Sequence, residues 1–321
     1  MGYTNFPHGL TSFGIPVLGG GVPICLGDTY FVDYSIGNDT LFDGKSPDHP
    51  FKTFGAANDA VKTNNDDLII IKGISGIVET SMVTLSKSRV TVFATNGNHH
   101  YGQAGKISLT ATTGATNIAT ILNTGVRNNF YGIKFINEST VAQGLYCFAD
   151  GGEYATFHNC EFYKSTDLDE TTASEFLLNG DSTQFYNCTF GSLVNIIADN
   201  KIRPNVSVTA TLDGKKCRDA YFENCLFLSK SAGTEHVDVY GANATDVERM
   251  LLMKNCTFVS NTLGAATPAH AVGFGALQTE GVVLLQNCTS VDHTVMAQAG
   301  VGIYVSGAVP TFATTGVAVA S

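Results

Sequence analysis

FHNCEF at Phe157–Phe162 returns as FYNCTF at Phe185–Phe190, FENCLF at Phe222–Phe227, MKNCTF at Met253–Phe258 and LQNCTS at Leu285–Ser290. A degenerate earlier copy, FYGIKF, occupies Phe130–Phe135. The Asn residues fall at 159, 187, 224, 255 and 287, so the gaps are 28, 37, 31 and 32, and Gly132 stands 27 before the first. A repeat of about thirty residues that drifts by several is the pattern of a solenoid. Its coils hold register while loops absorb the insertions.

The phrase also states how the chain runs. Positions one, four and six are the apolar ones: Phe, Met or Leu, then Ile133 or Cys, then Phe in every copy but Ser290. Position two is Tyr, His, Glu, Lys or Gln and can face water. Alternation in a strand would put positions one, three and five on one face, so the parity switches between three and four. A strand that switches faces is turning a corner. The corner residue is Asn five times and Gly once, the types that best tolerate a left-handed backbone. Strand, one-residue corner, strand is one coil of a parallel β-helix.

Coils stacked at roughly 4.8 Å bring like side chains together. Asn159, Asn187, Asn224, Asn255 and Asn287 would form an interior amide ladder, and the Phe residues an aromatic stack. Cys160, Cys188, Cys225, Cys256 and Cys288 would form a compact apolar file. These residues are read as architecture rather than chemistry. Eight Cys are present, but no CxxC and no Cys/His cluster, so reduced packing thiols are expected rather than disulfides or a metal site. The sequons at Asn187, Asn255 and Asn287 belong to the same ladder.

Composition narrows the function. The 321 residues include 34 Gly and no Trp, and only 14% are charged. Against 28 Asp and Glu stand 18 Lys and Arg, a net charge of −10, with no basic run to grip phosphates. No segment has the apolar length of a membrane span. Neither a nucleic-acid nor a membrane partner is expected.

The chain divides into four parts. Residues 1–27 alternate Pro and Gly with apolar groups and have no signal-peptide pattern, so they read as an extended arm with Phe6, Leu10, Phe13, Ile15, Val17 and Leu18 as its contacts. Residues 28–75 form a cap: Thr53 starts a short helix near Phe54–Lys62, and Leu68–Ile71 is a strand covered on both faces. Residues 76–292 are the coils, with Ile77–Glu79, Met82–Leu85, Arg89–Ala94, Lys106–Leu109 and Ile118–Leu122 as their first strands. Residues 293–321, rich in Ala, Gly, Val and Thr, read as a closing cap or an intersubunit segment.

The pattern FVD..IG.D...G.S...PFKT...A...A.....D.III in the cap resembles the start of the right-handed parallel β-helix proteins of the pectate-lyase-like class. With the preceding TNFPHGLTSFGIPVLGGG it is similar to β-helix proteins encoded among bacteriophage structural genes. The motif covers residues 1–75, and 76–292 follow by repeat style. The resemblance implies an all-β, right-handed parallel β-helix and a virion structural protein of the capsid decoration (cement) type. Its partners would be the major capsid protein and further copies of itself in a homotrimer. Such a chain would be made in the host cytoplasm and sit on the capsid surface.

A lyase or hydrolase on this scaffold needs an acid/base pair or a carboxylate cluster on the outside of the coils. Asp167, Asp169 and Glu170 share one loop, and Glu235, Asp238, Asp246 and Glu248 another, without a regularly spaced Arg or Lys beside them. His99-His100 has no fixed carboxylate partner, and Gly19–Gly21 lacks the Lys-Ser/Thr of a phosphate loop. The expectation is therefore no catalytic, cofactor or metal residue, and a chain that is not an enzyme. The competing readings are a tailspike-like receptor-binding protein or polysaccharide depolymerase, and a secreted carbohydrate-active enzyme.

Overall fold

The computed structural model describes residues 11–12, 15–16, 25–73, 76–95, 105–111, 116–140, 143–165, 173–194, 196–197, 201–209, 212, 215–261 and 267–306. Three parallel sheets run through them. The first has ten strands, from Thr29–Val32 to Ile303–Ser306, and contains the strand before every corner. The second has eight, from Ile77–Glu79 to Thr289–Val291, and takes the strand after the corner. The third, eight strands from Val83–Leu85 to Val295–Ala297, closes each coil. Register follows the sequence phrase: Phe130, Phe157, Phe185, Phe222, Met253 and Leu285 stand side by side in the first sheet. The strands continue to Ser306, so residues 293–306 extend the coil beyond the boundary drawn at 292.

Each corner is a left-handed residue. Asn159, Asn187, Asn224, Asn255 and Asn287 have φ between 52° and 54°, and Gly132 has φ 66°. Their backbone N–H groups carry the ladder: Asn187 donates to Glu223 O at 3.0 Å and Asn255 to Gln286 O at 2.8 Å. The side chains are not interior, which corrects the expected buried amide file. Asn159 and Asn187 are half-buried, and Asn224, Asn255 and Asn287 are exposed. A single left-handed residue turns the residues on either side of it toward the core and leaves its own Cβ outside. The Cys file does lie inside. Cys160, Cys188, Cys225 and Cys256 are buried free thiols and Cys288 is half-buried. Each Sγ donates to a carbonyl one coil back, as Cys188 does to Phe157 O at 3.4 Å.

Asn224→Leu is therefore expected to cost about 1–2 kcal/mol through backbone strain at the left-handed corner. Asn224→Gly should cost less, because Gly adopts that conformation freely. Urea unfolding of both variants checks this, and a Gly variant weaker than Leu would contradict it.

The core is built from Phe. Phe130, Phe157, Phe185 and Phe222 stack at 4.8, 5.0 and 4.4 Å, and Phe135, Phe162, Phe190, Phe227 and Phe258 form a second file. Phe148 and Phe176, from the third sheet, meet both files edge-on. Stacking within files and edge contact between them is the arrangement the ring quadrupole favours.

One end of the coil is closed by helix α1, Phe54–Ala60. Thr53 caps it through Oγ1, which accepts from Ala56 N at 3.2 Å. The helix ends two residues before the expected Lys62, because Val61 turns to extended backbone. Phe54 and Ala57 are fully buried over the first coil. Of the arm, Ile15 lies in a two-residue strand, Ile15–Pro16, antiparallel to Thr11–Ser12. Phe6, Leu10, Phe13, Val17 and Leu18 lie outside the described residues.

Candidate functional site

The second corner of the coil, where the chain enters the first sheet, is also left-handed, and it is not made by Asn. Asp66, Arg89, Arg127 and Tyr154 hold φ of 57°, 61°, 57° and 56°, followed by Ser182 at 57° and Asp219 at 45°. Strand register places them in one file, each two residues before the in-register set Leu68, Thr91, Asn129, Thr156. Their backbone N–H groups again bond the next coil: Arg89 to Val126 O, Arg127 to Glu153 O and Tyr154 to Asp181 O, at 2.7–2.8 Å. A left-handed conformation at Arg or Tyr costs roughly 1–2 kcal/mol each, and residues held that way mark positions where the side chain's direction matters. Here the conformation turns four large polar side chains outward, one per coil.

They line a groove of about 470 Å³ with Cys25, Leu26, Thr91 and Asn129. Asp66 and Arg89 form a two-pronged pair at one side, Nε to Oδ1 at 2.7 Å and Nη2 to Oδ2. Opposite, the Arg127 guanidinium lies 5.2 Å from the Tyr154 ring centroid. Arg127 is exposed and makes no carboxylate contact among the described residues. Asn129 accepts from Thr156 Oγ1 at 2.6 Å on the floor. A guanidinium held over a ring, beside amide and hydroxyl groups, can take a carboxylate in a two-pronged hydrogen bond and hydroxyls alongside it.

Two residues further along these strands runs an outer aromatic file. Tyr131 and His158 stack at 4.7 Å and 2°, and His158 and Tyr186 at 4.7 Å and 9°. The faces are spent on each other, so edges face solvent. Burial lowers the His158 pKa, leaving the ring neutral at pH 7.

A second groove, about 290 Å³, is lined by Glu153, Asp181, Lys215, Lys216, Arg218 and Glu248. Its charges are already engaged with one another. Arg218 grips Glu248 with Nη2 at 2.7 Å and lies 3.5 Å from Asp181, while Lys216 pairs with Glu280. The Arg218 side-chain hydrogen bond holds the Glu248 carboxyl below its usual range.

The carboxylates picked out in the sequence do not converge. Glu235 is exposed, Asp246 accepts from Asn243 N at 2.8 Å, Glu248 belongs to Arg218, and Asp238 is buried against two His. Asp167, Asp169, Glu170, His99 and His100 lie outside the described residues. Arg89, Arg127 and Tyr154 were missed because their residue types differ. Their signal was an offset: Arg127, Tyr154, Ser182 and Asp219 each stand five residues before a corner Gly or Asn.

No family model and no curated protein matches the chain. Solved structures do. Pectin methylesterase from Aspergillus niger matches with a TM-score of 0.61 over 94% of this chain and 92% of that one, at 14% identity. The fold is the right-handed parallel β-helix. Pectate lyase Pel9A matches with a TM-score of 0.51 over 86% of this chain and 74% of its own length, at 15% identity. ORF18 of Geobacillus virus E2 matches at 0.44 and 9% identity, over 80% of this chain and 58% of that one, and carries no argument at that level. These findings overturn the expectation that the chain is not an enzyme, because the solved structures it matches in fold include a pectin methylesterase and a pectate lyase. At such identity the likeness is one of fold.

Proposed function

We propose that this chain is a virion β-helix protein that engages an acidic polysaccharide through the groove of Arg89, Arg127 and Tyr154. One observation carries the reading: Arg127, held left-handed over Tyr154, offers its guanidinium to the groove with no carboxylate partner among the described residues. With a net charge of −10, the protein repels polyanions at long range, so a local guanidinium is what an acidic sugar would need. The pectin-acting enzymes that share the fold support a saccharide along its coils. Placement on the capsid surface, as a trimer on the major capsid protein, rests on the likeness of residues 1–75 to phage structural proteins.

Wild type should bind oligogalacturonate more tightly than its methyl ester in calorimetric titration. Arg127→Gln should weaken the charged ligand about tenfold or more, the loss of one charge-assisted hydrogen bond. Equal affinity of wild type and variant for the acid form would exclude this groove. Deletion of residues 1–21 should weaken binding to purified particles, and unchanged decoration would remove the arm from the account.

A further inference from the structure

The far end of the coil contains a buried carboxylate gripped by two imidazoles. Asp238, His236 and the His293 side chain are all fully buried. His236 Nε2 lies 2.9 Å from Asp238 Oδ1 in a hydrogen bond, and His293 Nε2 lies 3.0 Å from Asp238 Oδ2 at ion-pair distance without hydrogen-bond alignment. The other nitrogens face oxygens too. His236 Nδ1 is 3.1 Å from Ile202 O, and His293 Nδ1 is 3.1 Å from both Val291 O and Ser290 Oγ.

The Ile202 carbonyl only accepts, so His236 Nδ1 carries a proton, while His293 Nδ1 can donate to Val291 O or accept from Ser290 Oγ. A proton then lies between His236 Nε2 and Asp238 Oδ1. A proton on His293 Nε2 sets an imidazolium 3.0 Å from the buried Asp238 carboxylate, an ion pair between coils.

Asp238 lies just before the strand Val239–Gly241 and His293 just before Val295–Ala297, with the strand His270–Phe274 between them in the third sheet. The contact therefore spans three successive coils. It fastens the last one, at the end opposite helix α1. We propose that Asp238 and His293, with His236 positioning the carboxylate, form an acid-tightened clasp that fixes the last described coil when His293 is protonated and releases it as pH rises.

The surrounding charges agree. The Asp238 carboxyl is lowered to about 2, against its burial, by His293 and then His236. The His293 pKa is raised: burial opposes this, while Asp238, the Val291 carbonyl and Asp292 drive it. His270 near His293 is lowered by its own burial and then by the His293 charge, and burial raises the Glu175 carboxyl, which faces Arg203 and His236, to about 7. A raised His contributes stability fully below its unfolded value, about 6.5, and loses it as pH climbs through the folded value. The lowered Asp238 contributes above the ordinary carboxylate range, about 4, and loses it as pH falls toward 2. The clasp is tightest between those limits.

Amide hydrogen exchange at about pH 5 and about pH 8, either side of the ordinary imidazole value and corrected for intrinsic rates, reads this directly. Exchange in residues 289–306 should slow several-fold at the acidic pH relative to residues 220–260, and His293→Gln should abolish the difference. Should that variant not fold, the ¹⁵N shifts of His293 in wild type decide, with both ring nitrogens protonated at the acidic pH. Last-coil exchange that ignores pH or quickens on acidification, or a neutral His293 ring at the acidic pH, would overturn the clasp.

Discussion

Phe185→Ala is expected to lower stability by about 3–5 kcal/mol, the range for emptying a buried aromatic site. Phe185 is fully buried between Phe157 at 5.0 Å and Phe222 at 4.4 Å, with Phe176 edge-on at 4.9 Å and Phe190 at 5.4 Å. With Phe162 at 6.4 Å, five rings would lose a neighbour, and a file stacked in register on both sides cannot close the gap without shifting whole coils. Phe185→Leu, which keeps most of the volume, should cost clearly less. Chemical denaturation read by circular dichroism checks both. A loss below about 1.5 kcal/mol for the Ala variant would mean that the files are not the core's main support.

The second large effect is expected at Glu79. This buried carboxylate on the first strand of the second sheet accepts from Phe54 N at 2.7 Å and Gly55 N at 3.1 Å, so it satisfies the first turn of helix α1 from another coil. Glu79→Ala strands two buried donors at about 1–3 kcal/mol each, enough to detach the end cap. Glu79→Gln keeps an oxygen at the same place and should cost about 1 kcal/mol or less. Burial raises the Glu79 pKa against those two backbone hydrogen bonds, with Asp39 adding to the rise. For a raised carboxyl the contribution is complete below the ordinary Glu value and is lost as pH rises through the folded one. Wild type should thus lose stability across that interval and Glu79→Gln should not, which thermal melts through the acidic range will show.

The architecture was legible because stacking demands repetition. An in-register file needs the same shape in every coil, so Phe157, Phe185 and Phe222 recur, and so does the residue that turns the corner. The inward or outward sense of Asn224 was not legible, since a left-handed corner has the same sequence whichever way its amide points. Arg127 and Tyr154 escaped for the opposite reason. They face solvent, where neighbours impose no common shape, so only their offset from Gly132 and Asn159 is regular. Arg89 comes before the repeat begins and lacks even that. The chain has no Trp, yet Tyr154 under Arg127 supplies an aromatic and a cation together. The clasp was hidden because His236 and His293 are 57 residues apart in sequence and meet only when coils stack.

Polysaccharide engagement at the second corner is tested most directly by hydrogen exchange with and without saturating oligogalacturonate. Protection should appear in residues 89–91, 127–131 and 154–156, adjacent in space across the groove, and should vanish in Arg127→Gln. Protection confined to other coils, or none at any residue while the ligand is in large excess, would contradict the proposal.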